Sequence, residues 1–95
     1  MTEARSPQTA FAVERAWRLN PQVALRDESF GALAYHFGNR RLTFLKSRTL
    51  VELVSSLGEY PSAAAAIRAC VPEASRAAYE RALARLAASE VIDAC

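Results

Sequence analysis

From Trp17 the large apolar residues fall on odd positions, Trp17, Leu19, Val23 and Leu25, while Arg18, Asn20, Gln22 and Arg26 take even ones. A period of two predicts a half-buried strand. Pro21 interrupts the run, and proline is tolerated at a strand's start or edge, so regular pairing is expected from about Gln22. Asp27–Gly31 reads as a turn. The alternation resumes over Ala32–Phe37 and again over Arg40–Ser47, with Gly38-Asn39 between. Two such residues between alternating runs predict a hairpin, with Gly38 supplying the positive φ of a type II′ turn. That turn sets a register in which Phe37 faces Arg40, Tyr35 faces Leu42 and Leu33 faces Phe44. Leu33, Tyr35, Phe37, Leu42 and Phe44 then share one face, which reads as the apolar face to be covered. The other face, with Ala34, His36, Arg41 and Thr43, reads as outward, with His36 a solvated surface histidine.

After Ser47 the period changes from two to that of a helix. Thr49-Leu50-Val51-Glu52 has the form of a capping box, opening a helix through Leu50, Leu53, Val54 and Leu57 that stops at Gly58. An alanine-rich helix is expected over about Pro61–Ala69. A longer one is expected over Pro72–Ser89, with Pro72 as its first residue. In that helix Tyr79, Leu83 and Leu86 form a core stripe beside Ala82, and Arg81, Ala84, Arg85 and Ala88 occupy the far side. The predicted class is α+β: a three-stranded antiparallel sheet followed by three helices, with helical stripes covering the sheet. Residues 1–15 are expected as a tail and 16–95 as the domain.

Composition narrows the chemistry. Ninety-five residues allow one domain and disfavour a deep cleft. With 52% hydrophobic and 23% charged residues the chain is not a disordered one. Net charge is +2, and Lys46 is the only lysine among twelve basic residues. So balanced a sum points to neither nucleic acid nor a membrane surface. No apolar run follows Met1 and none is long enough to span a bilayer, so the reducing cytoplasm is the expected compartment. Cys70, Cys95 and His36 have no metal-ligand spacing, and the three glycines form no phosphate loop. Cys70 reads as a small core residue. No nucleophile–base pair stands out, so neither catalysis nor a cofactor is expected.

Two binding readings remain. The hairpin and helices suit a winged helix-turn-helix DNA-binding protein, with Arg76, Arg81 and Arg85 on the last helix and Arg40 and Arg41 on the wing. Glu73, Glu80 and Glu90 on or beside the same helix weaken that reading, because DNA readers carry a one-sided basic field. The alternative is strand addition. Strand Arg40–Ser47 lies at the end of the meander, with Arg40, Arg41, Lys46 and Arg48 around Leu42, Phe44 and Leu45. Such charges either guard an open edge against aggregation or receive an acidic peptide in extended form.

The stretches WRLNPQVALR and FGALAYHFGNRRLTFLK, within Trp17–Lys46, closely resemble the mycofactocin biosynthesis chaperone family. VPEASRAAYERALARLAASEVID resembles that family's C-terminal helix and end, so the likeness spans about Ala16–Asp93. The family belongs to the leader-peptide recognition elements that include the pyrroloquinoline quinone chaperone. The resemblance implies a winged-helix-like, non-catalytic domain. Such a domain binds the leader of a ribosomally made precursor peptide and delivers it to a radical S-adenosylmethionine maturase, which holds the iron–sulfur clusters. It further implies that the leader adds to the third strand beside the third helix. On this sequence Leu42–Lys46, hence Leu42, Thr43, Phe44, Leu45 and Lys46, supply the edge. Leu42 and Phe44 floor the groove, and Tyr79, Ala82, Leu83 and Leu86 wall it. Arg41, Lys46 and Arg85 are the candidates for acidic leader residues. The outward face with Ala34, His36, Arg41 and Thr43 is the candidate surface for the maturase.

Overall fold

A computed structural model describes residues 10–95. It contains strands β1 (Trp17–Leu19), β2 (Val23–Glu28), β3 (Gly31–His36) and β4 (Leu42–Leu45). Helices α1 (Arg48–Ser56), α2 (Ala63–Cys70) and α3 (Arg76–Ala88) follow, then a last strand β5 (Ile92–Ala94). The α+β class and the antiparallel β2-β3-β4 sheet agree with expectation. The first predicted strand divides at Asn20–Gln22. Its first part pairs with β5 in a separate two-stranded ribbon, Trp17 opposite Ala94 and Leu19 opposite Ile92, which the alternation did not announce.

Residues 1–9 of the expected tail lie outside the described residues, and residues 11–15 are docked. The Phe11 ring lies 5.0 Å from Trp17, and the Trp17 indole N–H donates to the Ala12 carbonyl at 2.9 Å. The Arg15 and Val13 carbonyls accept from the N–H groups of Ala63 and Ala64, each at 2.8 Å. Those amides open α2 and have no partner within the helix. Ser62 caps the same end, its side chain accepting from the Ala65 N–H. The α1 cap is Ser47, two residues before the expected Thr49: its hydroxyl accepts from the Leu50 N–H at 3.0 Å, and Thr49 lies within the first turn. The last helix begins at Arg76, because a short 3-10 turn over Glu73–Ser75 separates it from Pro72. It ends on a reversal that uses Glu90, not glycine, at φ 68°. The Val91 N–H reaches the Leu86 carbonyl at 2.8 Å and the Glu90 N–H that of Ala87 at 3.1 Å. This is the paired C-terminal bonding that a left-handed residue permits, and it turns the chain back into β5.

The hairpin register is the predicted one: Tyr35 opposes Leu42 and Leu33 opposes Phe44. The turn is different. Gly38 has no positive φ, and the residue that does is Arg40, at 64°. The Arg40 N–H donates to the His36 carbonyl at 2.7 Å, and the His36 N–H to the Arg41 carbonyl at 3.0 Å, closing a four-residue loop over Phe37–Arg40. A four-residue loop is concentric with the expected two-residue one, so the register survives. The loop is built on a side chain. The N–H groups of Gly38 and Asn39 donate to His36 Nδ1 at 3.0 and 3.1 Å. A Cβ at Gly38 would stand 2.5 Å from Gln22 Oε1 and 2.9 Å from His36 Cε1, so glycine is needed there for close approach and not for φ.

His36 is therefore not a surface residue. It is 3% exposed, and the sheet faces the helices with Val23, Ala32, Ala34, His36 and Leu45, all buried. The two faces are reversed from expectation. Alanines at 32 and 34 have little bulk, which lets α1, through buried Leu53 and Val54, lie close over β3. The larger residues, Leu33, Tyr35, Phe37, Leu42 and Phe44, take the opposite, outer face.

Candidate functional site

In the β2-β3-β4 sheet, β4 is a terminal strand with no neighbour on its far side among the described residues. The register decides which of its groups are free. In an antiparallel pair, hydrogen-bonded and non-hydrogen-bonded partners alternate. His36–Arg41 is a bonded pair, so Ala34–Thr43 and Ala32–Leu45 are the next two. The other side of β3 gives the same parity, because the Phe37 N–H donates to the Gln22 carbonyl at 2.8 Å. The N–H and C=O groups of Thr43 and Leu45 thus serve β3. Those of Leu42 and Phe44 point away from it, toward the open edge.

The side chains divide in the opposite sense. Thr43 and Leu45 face the helices, and Leu45 is fully buried. Leu42 and Phe44 lie on the outer face, 59% and 56% exposed, so they do not floor a groove on the helical side. Phe44 stacks on Phe30, with centroids 5.6 Å apart and planes within 12°; Tyr35 and Phe37 meet edge-on at 5.2 Å. Arg41 and Lys46 stand exposed at the two ends of β4, and among the described residues neither makes an ion pair.

The third helix is tied to the end of this strand by a hydrogen bond. Tyr79 Oη and Ser47 Oγ lie 2.9 Å apart, and the same Ser47 oxygen caps α1. One hydroxyl therefore ties together the end of β4, the start of α1 and the first half of α3. Beyond Tyr79 the accessible residues are Ala78, half-buried Ala82 and exposed Arg85. On the other flank of the helix, Ala77, Glu80, Arg81 and Ala84 border a depression shared with Phe11. Leu83 and Leu86 are buried, so they support the helix from within and do not form an exposed wall. Ala34 and His36, expected on a maturase-facing surface, are likewise interior. A surface depression of about 440 Å³ is lined by Arg15, Trp17, Ala87, Glu90 and residues 92–95 and includes no residue of β4. A strand edge is a row of backbone groups and needs no enclosed cavity.

The histidine network behind the edge is the feature the sequence reading missed. His36 Nε2 lies 3.3 Å from Asn20 Nδ2 and 3.9 Å from a Glu90 carboxylate oxygen. Asn20 Nδ2 donates to the Glu90 carbonyl at 3.0 Å and to Asp93 Oδ1 at 3.1 Å, while its Oδ1 accepts from the Gln22 N–H at 2.8 Å. Both amide hydrogens are thus spent, and the two N–H groups that meet Nδ1 require a lone pair there. The network joins the hairpin to the end of α3. It holds the loop that starts β4; it offers no reacting group. Among the described residues no group of three or more His, Cys, Asp or Glu side chains could hold a metal, and no helix is long and apolar enough to cross a membrane.

Residues 16–93 match the model of the peptide chaperone MftB family. The chain belongs to this family. Three curated relatives, each named peptide chaperone MftB, agree with it over almost their whole common length. That of Mycobacterium tuberculosis is 46% identical over 89 residues, covering 93% of this chain and 82% of the relative. That of Mycobacterium ulcerans is 46% identical over 91 residues, covering 95% and 84%. That of Mycolicibacterium smegmatis is 45% identical over 93 residues, covering 97% and 91%. No solved structure matches the chain. The family is one of peptide chaperones, a non-catalytic role, and the chain is not an enzyme.

Proposed function

We propose that this chain binds the leader of the mycofactocin precursor peptide by strand addition at β4 and delivers it to a radical S-adenosylmethionine maturase. The observation that carries the reading is the open edge: Leu42 and Phe44 present N–H and C=O groups to no partner among the described residues, between two exposed cations, Arg41 and Lys46. An extended peptide satisfies such a row with its own backbone, whatever its sequence, and the flanking cations favour an acidic one. Thr43 is the inward contact of the bound strand. Leu45, Leu83 and Leu86 support it from the core. Tyr79 and Ala82 form the helical side, where the small residue at 82 leaves room for a second backbone. Arg85 is a third cation for acidic leader residues.

The chaperone lowers no chemical barrier. Holding a flexible leader raises the local concentration of the peptide's reacting end at a partner enzyme that both of them contact. Ordering the leader costs part of the interaction energy, so a modest interface gives modest affinity. The winged-helix DNA reading loses one of its three helical arginines, Arg76, which is engaged by the chain itself. Its Nε donates to the Val71 carbonyl at 3.0 Å and its Nη2 to that of Arg68 at 3.3 Å, capping the end of α2. The test is a titration of labelled protein with its precursor peptide. The amides of Leu42 and Phe44 should shift most, followed by those around Tyr79 and Ala82. A saturable complex that leaves these amides unmoved sinks the reading.

A further inference from the structure

The outer face of the sheet exposes large apolar side chains. Leu42, Phe44 and Phe37 each expose more than half of their surface, and Phe30 is 39% exposed. Together they leave about 400 Å² of apolar area in water, the size of patch that on a small monomer is commonly functional. Two of these residues, Leu42 and Phe44, stand on the edge strand. Toward β3 each has a cross-strand neighbour, Tyr35 and Leu33. Toward the open side neither has one. Phe30 stacks on Phe44 from the turn that precedes β3, and Phe44 remains 56% exposed.

We infer that the peptide bound at β4 carries two apolar side chains two residues apart, seated on the outer face against Leu42 and Phe44, with acidic residues beyond them toward Arg41 and Lys46. This rests on strand addition at β4 and specifies which peptides the edge selects. The spacing follows from the pleat. Leu42 and Phe44 are the residues whose backbone groups face the edge, and the partner residues beside them project to the same face of the sheet. The residue between those two points to the helical side, beside Thr43. The apolar requirement follows from the exposure of both side chains, and the acidic flanks from the two cations.

Charge also decides against a second copy of this chain as the occupant. Antiparallel pairing of two β4 strands about a two-fold axis at Thr43, the register that uses the free groups of both Leu42 and Phe44, sets Leu42 against Phe44 and Arg40 against Lys46 of the other copy. Like charges directly opposite disfavour that pairing at both ends of a four-residue strand.

The experiment uses the full chain and its precursor peptide. Isotope-filtered NOE spectra of the labelled protein with unlabelled peptide should show contacts from peptide methyl or ring protons to the Phe44 ring and the Leu42 methyls. Leu42→Thr/Phe44→Thr, which keeps strand-favouring residues at both exposed sites, should weaken binding about tenfold. If the Leu42 and Phe44 amides shift but no such NOE appears and the double variant binds within twofold of the parent, strand addition stands and the outer-face contact is wrong. If those amides do not shift, strand addition itself fails and the inference with it. A concentration-dependent dimer of the free chain that perturbs the same amides would make a second copy the occupant and overturn the proposal.

Discussion

Proline at two adjacent positions of β4 should have opposite effects. The Thr43 N–H belongs to the ladder with β3, and the Ala34 carbonyl it serves belongs to a residue 1% exposed. Thr43→Pro removes that bond and leaves a buried acceptor unpaired, for about 1–3 kcal/mol, and sets a pyrrolidine ring against β3. A loss of about 2 kcal/mol or more lowers the melting temperature of a domain this size by roughly 8–16 °C. The Leu42 N–H faces the open edge, its side chain is 59% exposed, and it is the first residue of its strand, where proline is tolerated. Leu42→Pro should therefore melt within about 3 °C of the parent, a change of under 1 kcal/mol. For the peptide the order reverses. Leu42→Pro deletes one of the donors that receive the added strand and leaves a peptide carbonyl unpaired. The cost is about 2 kcal/mol, or roughly thirtyfold in Kd. Thermal unfolding by circular dichroism and peptide titration by calorimetry read the two quantities separately. If Leu42→Pro unfolds like Thr43→Pro, the parity assigned to β4 is wrong. If it stays folded and binds the peptide like the parent, the edge is not where the peptide sits.

Three further perturbations test the parts around the edge. His36→Ala leaves the Gly38 and Asn39 N–H groups without their acceptor and should cost about 1–3 kcal/mol in urea unfolding, with amide exchange accelerated over residues 37–41; unchanged stability would mean the imidazole does not organise the loop. Ser47→Ala removes both the α1 cap and the Tyr79 contact and should cost about 1–2 kcal/mol, whereas Thr49→Ala, at the cap expected from sequence, should change stability by less than about 0.5 kcal/mol. Arg41→Gln/Lys46→Gln should slow peptide association and flatten its salt dependence, measured by stopped-flow at two ionic strengths, and an unchanged salt slope would remove these cations from the encounter.

Why the register was legible and the face was not has one physical answer. Alternation carries a period but no sign: it states which residues share a side, not which side is covered. The hairpin fixed the pairing of Leu33 with Phe44 and Tyr35 with Leu42 for any concentric loop, so the wrong turn type did no harm. Choosing the inner face by side-chain size then failed, because Ala32 and Ala34 are what close helix packing selects, and a histidine can be interior when backbone amides meet its ring nitrogen. The β1–β5 ribbon was illegible for a different reason. Trp17–Leu19 alternates in phase with the strand that follows it, β5 is too short to show a period, and the reversal that aligns the two rests on Glu90 in a conformation usually given to glycine. The candidate edge was legible as a strand position, since the last strand of a meander has one free side. The division of labour along it was not. The hairpin parity gives Leu42 and Phe44 the free backbone groups, and the same parity turns their side chains outward. The residues that would hold a peptide's backbone are therefore the ones that carry the exposed apolar surface. Leu42 and Phe44 each have a cross-strand neighbour toward β3 and none on the other side among the described residues, which is the side on which a second chain would lie.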